Sequence, residues 1–253
     1  MSENLYETDA LVNQYLLFHY GQSEEILPYA FGPHDALNFP VRCVTELVDV
    51  QCLGSGKHAL DIGCAVGRSS FELARYGCEV IGIDYSAAFI GAAQELKDKG
   101  LLDYLRPHEG EVALRAVAAV PEEIDRTKVQ FEVGDAMALR DDLGTFDLVI
   151  ACNLICRLPR PRHFLERLTQ LVKPGGQLVI TTPFTWLDEY TPPEHWLGGR
   201  PETGDSFNGL RQTLEGAFVL KQEKNLPMLI KETARKYQWT VVQGTAWERR
   251  AVV

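Results

Sequence analysis

The sequence predicts an α/β fold in which helices cover both faces of a mostly parallel β-sheet. Two observations carry this prediction. An apolar strand over residues 58–62 runs into a turn of small residues that opens a helix, and a second apolar strand ends in Asp84. The other predicted strands are near-continuous apolar runs, which is typical of strands buried on both faces. We therefore expect a Rossmann-like, doubly wound sheet of seven strands with one antiparallel closing strand, preceded by an N-terminal helical cap.

The predicted elements alternate in the order that such a sheet requires. In the N-terminal part, helices are expected over residues 5–21, with Thr8 or Asp9 as the N-cap, and over residues 41–51. In the centre, helices over residues 68–76, 86–99 and 161–171 separate strands over residues 58–62, 80–84, 129–133, 146–151 and 177–182. Residues 100–127 are long for a simple connection and could form a hairpin or a short helix.

The C-terminal part has a different texture. Residues 184–207 are rich in Trp, Tyr, Pro and Gly, and we expect them to form an ordered lid, because such long loops are usually functional or disordered. A helix over residues 209–215, a strand over 218–224, a helix over 228–237 and a strand over 240–247 are expected to close the sheet. We expect one domain made of a cap (1–53), a cofactor-binding core (54–183), the lid (184–207) and the closing strands (208–253).

The composition argues against several classes of protein. A formal net charge of −10 over 253 residues disfavours a nucleic-acid partner. No apolar stretch approaches the length that spans a membrane, and the N-terminus is polar and acidic, so we expect a cytoplasmic protein. The six cysteines show no C-x-x-C pairing and the six histidines are scattered, so we expect no metal site.

The turn after the first strand has the spacing Asp61-x-Gly63-x-Ala65-x-Gly67. A dinucleotide site would instead show G-x-G-x-x-G. Small residues let the backbone approach a ligand closely. An acid leading into the turn repels a pyrophosphate and favours a cationic ligand, such as one that carries an ammonium and a sulfonium. Asp84, at the end of the second strand, can accept hydrogen bonds from both hydroxyls of a ribose.

This spacing resembles the first motif of S-adenosylmethionine-dependent methyltransferases. Two further features fit: the triplet at residues 134–136 (GDA) follows the third strand, and the run KPGG at residues 173–176 precedes the fifth. The resemblance implies S-adenosylmethionine as the cofactor, without a metal, and places Asp135 near the adenine amine. The cofactor site that it implies consists of Asp61, Gly63, Cys64, Ala65, Gly67, Asp84, Tyr85, Asp135, Ala136, Ala151 and Cys152.

The acceptor of the methyl group is expected at the carboxyl ends of the fourth and fifth strands. There Asn153 could face the transferable methyl group or act only as a cap. Arg157 could pair with an acceptor carboxylate or be an ordinary surface arginine. Beyond the fifth strand, Trp186, Tyr190 and Trp196 could roof the site, although a plain packing role is open for the tryptophans.

The N-terminal helix forms a third wall of the predicted acceptor site. Tyr6, Asp9 and Asn13 fall on one helical face, while Tyr15 and His19 share another at i, i+4. A packing face that mixes tyrosines with polar residues indicates a helix that covers a polar pocket. The same side chains could also be solvated or satisfied in the core. We expect these five residues to bind the acceptor together with the five of the preceding paragraph, which are Asn153, Arg157, Trp186, Tyr190 and Trp196.

Four segments outside the cofactor motifs sharpen the resemblance. They are YETDALVNQYLLFHYG at residues 6–21, FPVRCV at 39–44, ACNLICRLP at 151–159, and TPFTWL, EYTP and EHWLGG within 182–199. They closely resemble the methyltransferase of ovothiol biosynthesis, which methylates an imidazole ring nitrogen of 5-thiohistidine (4-mercaptohistidine). The resemblance implies ovothiol A as the product and a stand-alone enzyme whose small amino-acid substrate comes from a separate sulfoxide synthase. We expect a monomer or a homodimer.

A thiohistidine matches the predicted acceptor site. Arg157 could bind its carboxylate, Asp9 or Glu7 its ammonium, and the aromatic side chains its ring. Asn153, a tyrosine hydroxyl or His19 could orient the ring. Little base strength is needed, because a neutral imidazole nitrogen is already nucleophilic; if a base acts, His19 and Asp9 are candidates by residue type alone. Asn153, His19 and Asp9 are therefore the predicted catalytic residues.

Two alternative functions stay open at this level. One is a methyltransferase that acts on another small-molecule nitrogen, oxygen or sulfur acceptor, which assays with different acceptors would reveal. The other is a non-catalytic S-adenosylmethionine-binding protein that regulates a partner. It would bind the cofactor without transferring its methyl group.

Overall fold

The computed structural model describes residues 5–251. The strands in this range are β1 (His58–Ile62), β2 (Glu79–Asp84), β3 (Leu101–Glu109), β4 (Val112–Ala119), β5 (Val129–Val133), β6 (Phe146–Cys152), β7 (Val172–Thr182), β8 (Phe218–Lys231) and β9 (Tyr237–Arg249). Among these residues, one sheet has seven strands in the order β5-β2-β1-β6-β7-β9-β8. β9 runs antiparallel to both of its neighbours and the remaining pairings are parallel. The predicted fold class is confirmed.

Helices cover both faces of this sheet. They are α1 (Asp9–Tyr20), α2 (Ser23–Ile26), α3 (Phe39–Leu47), α4 (Arg68–Arg75), α5 (Ala87–Lys99), α6 (Pro161–Leu171) and α7 (Ser206–Leu214). Buried side chains of α1, α3, α4 and α5 form one apolar cluster, and those of α6 and α7 form another. Each fully buried Leu, Ile or Phe contributes roughly 1.5–3 kcal/mol, so both layers stabilise the sheet. None of the helices in the described range is long and apolar enough to cross a membrane.

Side-chain caps determine where two of these helices begin. Thr8 is the N-cap of α1, and its hydroxyl accepts a hydrogen bond from the amide of Leu11. The predicted start at residue 5 was therefore too early, because residues 5–7 form a separate 3-10 turn. Ser86 is the N-cap of α5, and its hydroxyl accepts a hydrogen bond from the amide of Phe89 at 3.0 Å. Such caps satisfy amides that the first helical turn leaves without partners.

The predicted helix over residues 228–237 is wrong. Residues 226–231 instead continue β8, and they pair with the start of β9 in the register Leu226↔Val242 to Lys231↔Tyr237. Met228 and Leu229 are buried against the N-terminal cap. A short apolar run is compatible with a helix or a strand. Pairing with β9 gives the backbone of this run its hydrogen bonds and also buries these side chains.

The C-terminal part of β8 and the N-terminal part of β9 form a two-stranded arm. This arm extends beyond the carboxyl edge of the sheet. β7 pairs with β9 only from Gln243 onwards, so residues 237–242 have β8 as their strand partner. The arm holds the N-terminal cap by backbone carbonyls: Arg42 donates to Pro227 at 2.8 Å and Tyr29 donates to Ala234 at 3.2 Å. The cap is thereby kept over the edge where the predicted site lies.

Residues 100–127, left open between a hairpin and a short helix, contain the hairpin β3–β4. One face of the hairpin packs on α1 and α5 and buries Tyr104, Ala116 and Ala118. The alternation of buried and exposed residues along β4 is that of a strand with one solvated face.

Gly67 opens α4 in a conformation that requires glycine. Its φ is 84°, and a Cβ atom at this position would lie 2.5 Å from the Phe131 ring. The close approach brings the turn after β1 down onto the sheet. Gly100, the C-cap of α5, has a similar φ of 81° and is also left-handed, but a Cβ there would meet only the flexible end of the Arg126 side chain, 3.2 Å away.

We expect Gly67→Ala to destabilise the protein more than Gly100→Ala. Both substitutions force alanine into the left-handed region at about 1–2 kcal/mol, whereas only the first overpacks the core, at about 1–3 kcal/mol more. Urea unfolding followed by circular dichroism measures both free energies. Equal losses in the free energy of unfolding would contradict this expectation, because they would mean that the Phe131 ring moves aside at no cost.

Candidate active site

The carboxyl ends of β1, β2 and β5 meet at one edge of the sheet, because these strands are parallel neighbours. Asp61 lies near the end of β1, Asp84 at the end of β2, and Asp135 two residues beyond β5. In open α/β sheets, this edge is where ligands bind. The structure therefore brings the three predicted carboxylates to the same edge.

Asp61 is fully buried. Its Oδ2 atom accepts hydrogen bonds from the hydroxyls of Ser69 and Ser70, both at 2.7 Å. Its Oδ1 atom is buried and has no hydrogen-bond partner among the described residues. Burial raises the pKa of this carboxyl to about 6, although the two serine hydroxyls oppose that rise. A buried acceptor without a partner calls for a donor from a ligand.

Asp84 ties the turn after β1 to the start of α5. Its Oδ2 atom accepts from the Ala65 amide at 2.8 Å, and its Oδ1 atom accepts from the Ser86 amide at 2.9 Å. Burial raises the pKa of this carboxyl, and the backbone amides counteract the rise. A carboxylate oxygen has two lone pairs, so each oxygen can accept one more hydrogen bond from a ligand hydroxyl.

The turn itself is strained in a way that suits close approach of a ligand. Ala65 has a φ of 48° and is flanked by Gly63 at 77° and Gly67 at 84°. A left-handed alanine costs roughly 1–2 kcal/mol, which the hydrogen bond from its amide to Asp84 helps to offset. The amides of Gly63 and Cys64 donate to the carbonyl of Ile83, so the turn is fastened to β2.

Apolar surface lies beside these carboxylates. Tyr85, which follows β2, is 66% exposed, and Val133, the last residue of β5, is 57% exposed. Asp135 is exposed, and its Oδ1 atom accepts from the amide of Met137 at 2.8 Å. An adenine ring would cover such surface and find a carboxylate at its edge. The residues therefore fit a cationic nucleoside such as the predicted cofactor.

Asn153 follows β6 in a left-handed conformation, with a φ of 54°. Its side-chain oxygen accepts from the Thr181 hydroxyl at 3.1 Å, and its amide nitrogen donates to the Met228 sulfur at 3.3 Å. This assignment of the amide leaves one N–H of the side chain for a ligand. Ala151 is buried in β6, and Cys152, at its end, is half-buried.

Arg157 lies between the loop after β6, the lid and the N-terminal segment. Its Nη1 atom donates to the carbonyl of Thr185 at 3.0 Å, and its guanidinium stands 5.1 Å above the centre of the Tyr190 ring. Burial raises the pKa of the Tyr6 hydroxyl, which is close enough to Arg157 for this charge to oppose the rise. No carboxylate within residues 5–251 lies within ion-pair distance of Arg157. This cation is therefore available to an anionic ligand.

The N-terminal segment crosses the end of β2. The Ser86 hydroxyl donates to the carbonyl of Tyr6 at 2.8 Å, and the Glu7 carboxylate accepts from two amides at the start of α5. Tyr15 packs on Phe89 with 4.7 Å between ring centres. Burial raises the pKa of the Tyr15 hydroxyl, and Asp84 and Arg157 are close enough to act on it as well. Tyr6 and Tyr15 thus face the same space as Asp84 and Arg157.

Three other predicted residues of the N-terminal helix lie elsewhere. The side-chain oxygen of Asn13 accepts from the amide of Leu105, which is in the hairpin. Asp9 is exposed in the first turn of α1, without an ion pair in the described part of the chain. His19 is buried, and desolvation, aided by the charge of Arg68, lowers its pKa to about 3, so the ring is neutral and weakly basic.

The two tryptophans of the lid hold the lid together. Their rings stack with 6.3 Å between centres. Trp186 donates to the Ser206 hydroxyl and Trp196 to the carbonyl of Thr191, both at 2.8 Å. This is the packing role that the sequence left open, and of the predicted lid residues it is Tyr190 that contacts Arg157.

Some residues of the site carry no clear signal in the sequence. Ser69 and Ser70 fall in the first turn of a helix, where serine is commonly read as a surface residue. Thr181 reaches Asn153 because β7 is the neighbour of β6, and Met228 reaches it from the part of β8 that extends beyond the sheet edge. No cluster of three or more His, Cys, Asp or Glu residues suited to a metal occurs in the range that the structure describes.

Known proteins resemble this chain in sequence. The pattern of the methyltransferase domain family matches residues 38–216. A protein of Coxiella burnetii named ubiquinone biosynthesis O-methyltransferase is 27% identical over 143 residues, covering 56% of this chain and 50% of the relative. A protein of Burkholderia ambifaria with the same name is 32% identical over 154 residues, covering 60% and 54%. The chain spans about half the length of these curated relatives.

Solved structures resemble it in fold. Magnesium protoporphyrin IX methyltransferase from Synechocystis PCC 6803, with bound S-adenosylhomocysteine, superposes with a TM-score of 0.56 at 16% identity, over 97% of this chain and 96% of that one. An S-adenosylmethionine-dependent methyltransferase from Methanosarcina mazei has a TM-score of 0.53 at 19% identity, over 80% and 96%. The family match covers well over half of the chain and agrees with the carboxylates at the sheet edge. The chain therefore belongs to the methyltransferase domain family.

Proposed function

We propose that this enzyme methylates an imidazole ring nitrogen of 5-thiohistidine and so forms ovothiol A. The observation that carries the proposal is Arg157. Its guanidinium has no carboxylate partner in the described range and lies where three segments meet: the N-terminal segment, the loop after β6 and the lid. These are the segments that resemble the ovothiol methyltransferase. An amino-acid acceptor brings the carboxylate that such a site favours.

The residues at the sheet edge would hold the cofactor in a defined orientation. Asp84 would accept the ribose hydroxyls, Tyr85 and Val133 would cover the adenine, and the Oδ1 atom of Asp61 would face the ammonium. When bound, S-adenosylmethionine supplies a methyl group already activated on a sulfonium. The protein therefore has mainly to align the acceptor and exclude water, which together can lower the barrier by about 7–11 kcal/mol.

The acceptor would lie between the end of β6 and the N-terminal segment. Arg157 would bind its carboxylate, the rings of Tyr6, Tyr15 and Tyr190 would flank its imidazole, and the remaining N–H of Asn153 would orient it. The thiolate of the substrate makes the imidazole ring electron-rich, which favours attack by a ring nitrogen lone pair.

No strong base is required for this reaction. The neutral ring nitrogen carries the lone pair, and the proton on the ring can leave after the bond to carbon has formed. His19 is a poor candidate for a base because its pKa lies at about 3. Asp9 remains a candidate by residue type, although it is exposed at the start of α1.

We expect label transfer from methyl-labelled S-adenosylmethionine to 5-thiohistidine. Purified protein is incubated separately with 5-thiohistidine, histidine, ergothioneine and a simple catechol, and nuclear magnetic resonance of the product locates the methyl group. Transfer to the catechol alone would overturn the proposal in favour of O-methylation, the chemistry named for the curated relatives. Cofactor binding without transfer to any of the four would favour a regulatory protein.

We expect Arg157→Ala to raise the KM for the acceptor by roughly 10- to 100-fold, because a charge-assisted hydrogen bond contributes about 1.5–3 kcal/mol. The KM for the cofactor should change little. Arg157→Lys should recover part of the loss. Arg160→Ala is the matched control, because Arg160 is exposed and close in the chain. An unchanged acceptor KM in Arg157→Ala would place the carboxylate elsewhere.

We expect binding of S-adenosylhomocysteine to weaken roughly tenfold between pH 7 and pH 5. The pKa of Asp61 is about 6 in the free protein, and a neighbouring ammonium favours the ionised form, so binding lowers this pKa. Affinity is therefore full above pH 6 and is lost as the pH falls below it.

Calorimetry across this pH range measures the effect, with two controls. Methylthioadenosine lacks the ammonium and should bind with little dependence on pH. Asp61→Asn should bind S-adenosylhomocysteine weakly at every pH. If methylthioadenosine showed the same pH dependence, the titrating group would be one that faces the nucleoside, such as Asp84.

A further inference from the structure

The proposed cofactor has an anionic group, whereas the residues described so far at the sheet edge are acidic. S-adenosylmethionine carries a carboxylate as well as an ammonium and a sulfonium. Asp61 and Asp84 suit its cationic and hydroxyl groups but repel its carboxylate. Arg157 lies on the acceptor side, beside Tyr6 and Tyr190. The methionine end therefore needs a separate group of hydrogen-bond donors near the turn after β1.

The end of α1 lies directly on this turn. The Tyr20 hydroxyl donates to the carbonyl of Val66 at 2.8 Å, in a buried hydrogen bond. Burial raises the pKa of Tyr20 strongly, and Arg68, Cys64 and Asp61 are close enough to act on it too. The C-terminal end of α1 is thus next to the carboxylate expected to bind the cofactor ammonium, whereas Tyr15 lies one turn earlier, near Asp84.

His19 and Arg68 are both within this region. They are each only 9% exposed, and burial and the charge of Arg68 both lower the pKa of His19. His19 lies on the same helical face as Tyr15, with 5.8 Å between ring centres. The helix therefore places Tyr15 near Asp84 and Arg157, and His19 near Arg68.

Both side chains have hydrogen-bonding capacity that the protein does not use. The Nδ1 atom of His19 is buried and has no partner among the described residues. Arg68 donates through Nη1 to Glu72 at 2.9 Å, and its other guanidinium nitrogens make no hydrogen bond to residues 5–251. Leaving the buried Nδ1 atom of His19 without a partner is costly, so it indicates a ligand atom in that position.

We propose that His19 and Arg68 together bind the carboxylate of the methionine moiety of the cofactor. His19 donates from Nδ1 in the tautomer that carries its proton there, and Arg68 donates from a guanidinium nitrogen that Glu72 leaves free. His19 is then a cofactor-binding residue and not the base of methyl transfer. This inference rests on the cofactor part of the proposed function and is independent of which acceptor is methylated.

Two nucleosides that differ only in the carboxylate test the proposal. S-adenosylhomocysteine has the carboxylate, and S-adenosylthiopropylamine keeps the ammonium but lacks it. Calorimetry without any acceptor gives both dissociation constants. We expect His19→Leu to weaken S-adenosylhomocysteine roughly 10- to 100-fold and to leave the amine nearly unchanged. His19→Asn, whose side-chain amide can donate from about the position of Nδ1, should keep most of the preference.

Gln14→Ala is the matched control on the same helix, because its side chain donates to Lys231 and not towards the turn. It should leave both affinities unchanged. In the unsubstituted protein, the Nδ1 resonance of His19 should shift on addition of S-adenosylhomocysteine and not of the amine, which tests the contact without any substitution.

Equal weakening of the two nucleosides by His19→Leu, or no weakening of either, would overturn the proposal and leave His19 a packing residue. Failure of the unsubstituted protein to bind either nucleoside would overturn the cofactor assignment, and this inference with it. Failure to methylate 5-thiohistidine would affect neither, because these measurements contain no acceptor.

Discussion

The carboxylate of Asp84 is the interaction on which the arrangement of the site depends. One oxygen holds the strained turn after β1 through Ala65, and the other holds the start of α5 through the Ser86 amide. The hydroxyl of Ser86 in turn binds the backbone of Tyr6, whose side chain reaches Arg157. Hydrogen bonds that start at Asp84 thus connect the turn after β1, the start of α5 and, through Ser86, the N-terminal segment that lies beside Arg157.

Backbone strain is concentrated at the same edge of the sheet. Ala65, Asn153 and Phe184 all have positive φ values, and they follow β1, β6 and β7 respectively. Each such residue costs of the order of 1–3 kcal/mol, so the surrounding structure must hold it in place. Asp84 does so for Ala65, and Thr181 does so for Asn153. The two apolar clusters on the faces of the sheet stabilise the fold and so offset the free-energy cost of this strain.

The acidic and basic side chains of the site lie in different places and suit different ligand groups. Asp61 and Asp84 lie under the turn and suit the cationic and hydroxyl groups of the cofactor. Arg157 is left without an acidic partner in the described range and lies between the loop after β6, the lid and the N-terminal segment, where we propose that the acceptor binds. In a chain with a net charge of −10, an unpaired arginine at this position is a specific feature of the site.

The sequence by itself determined the parallel sheet, the glycine turn and the carboxylates at the ends of the strands, because these depend on short-range spacing and on apolar runs. It determined neither the second half of β8 nor the orientation of α1, because both result from contacts between residues far apart in the chain. Local pattern made residues 228–237 a helix, whereas pairing with β9 made residues 228–231 a strand. Only the tertiary structure decided that Asn13 binds the hairpin, that His19 is buried beside Arg68, and that Trp186 and Trp196 hold the lid. Helical periodicity specifies which residues share a face, but packing against distant elements decides what that face meets.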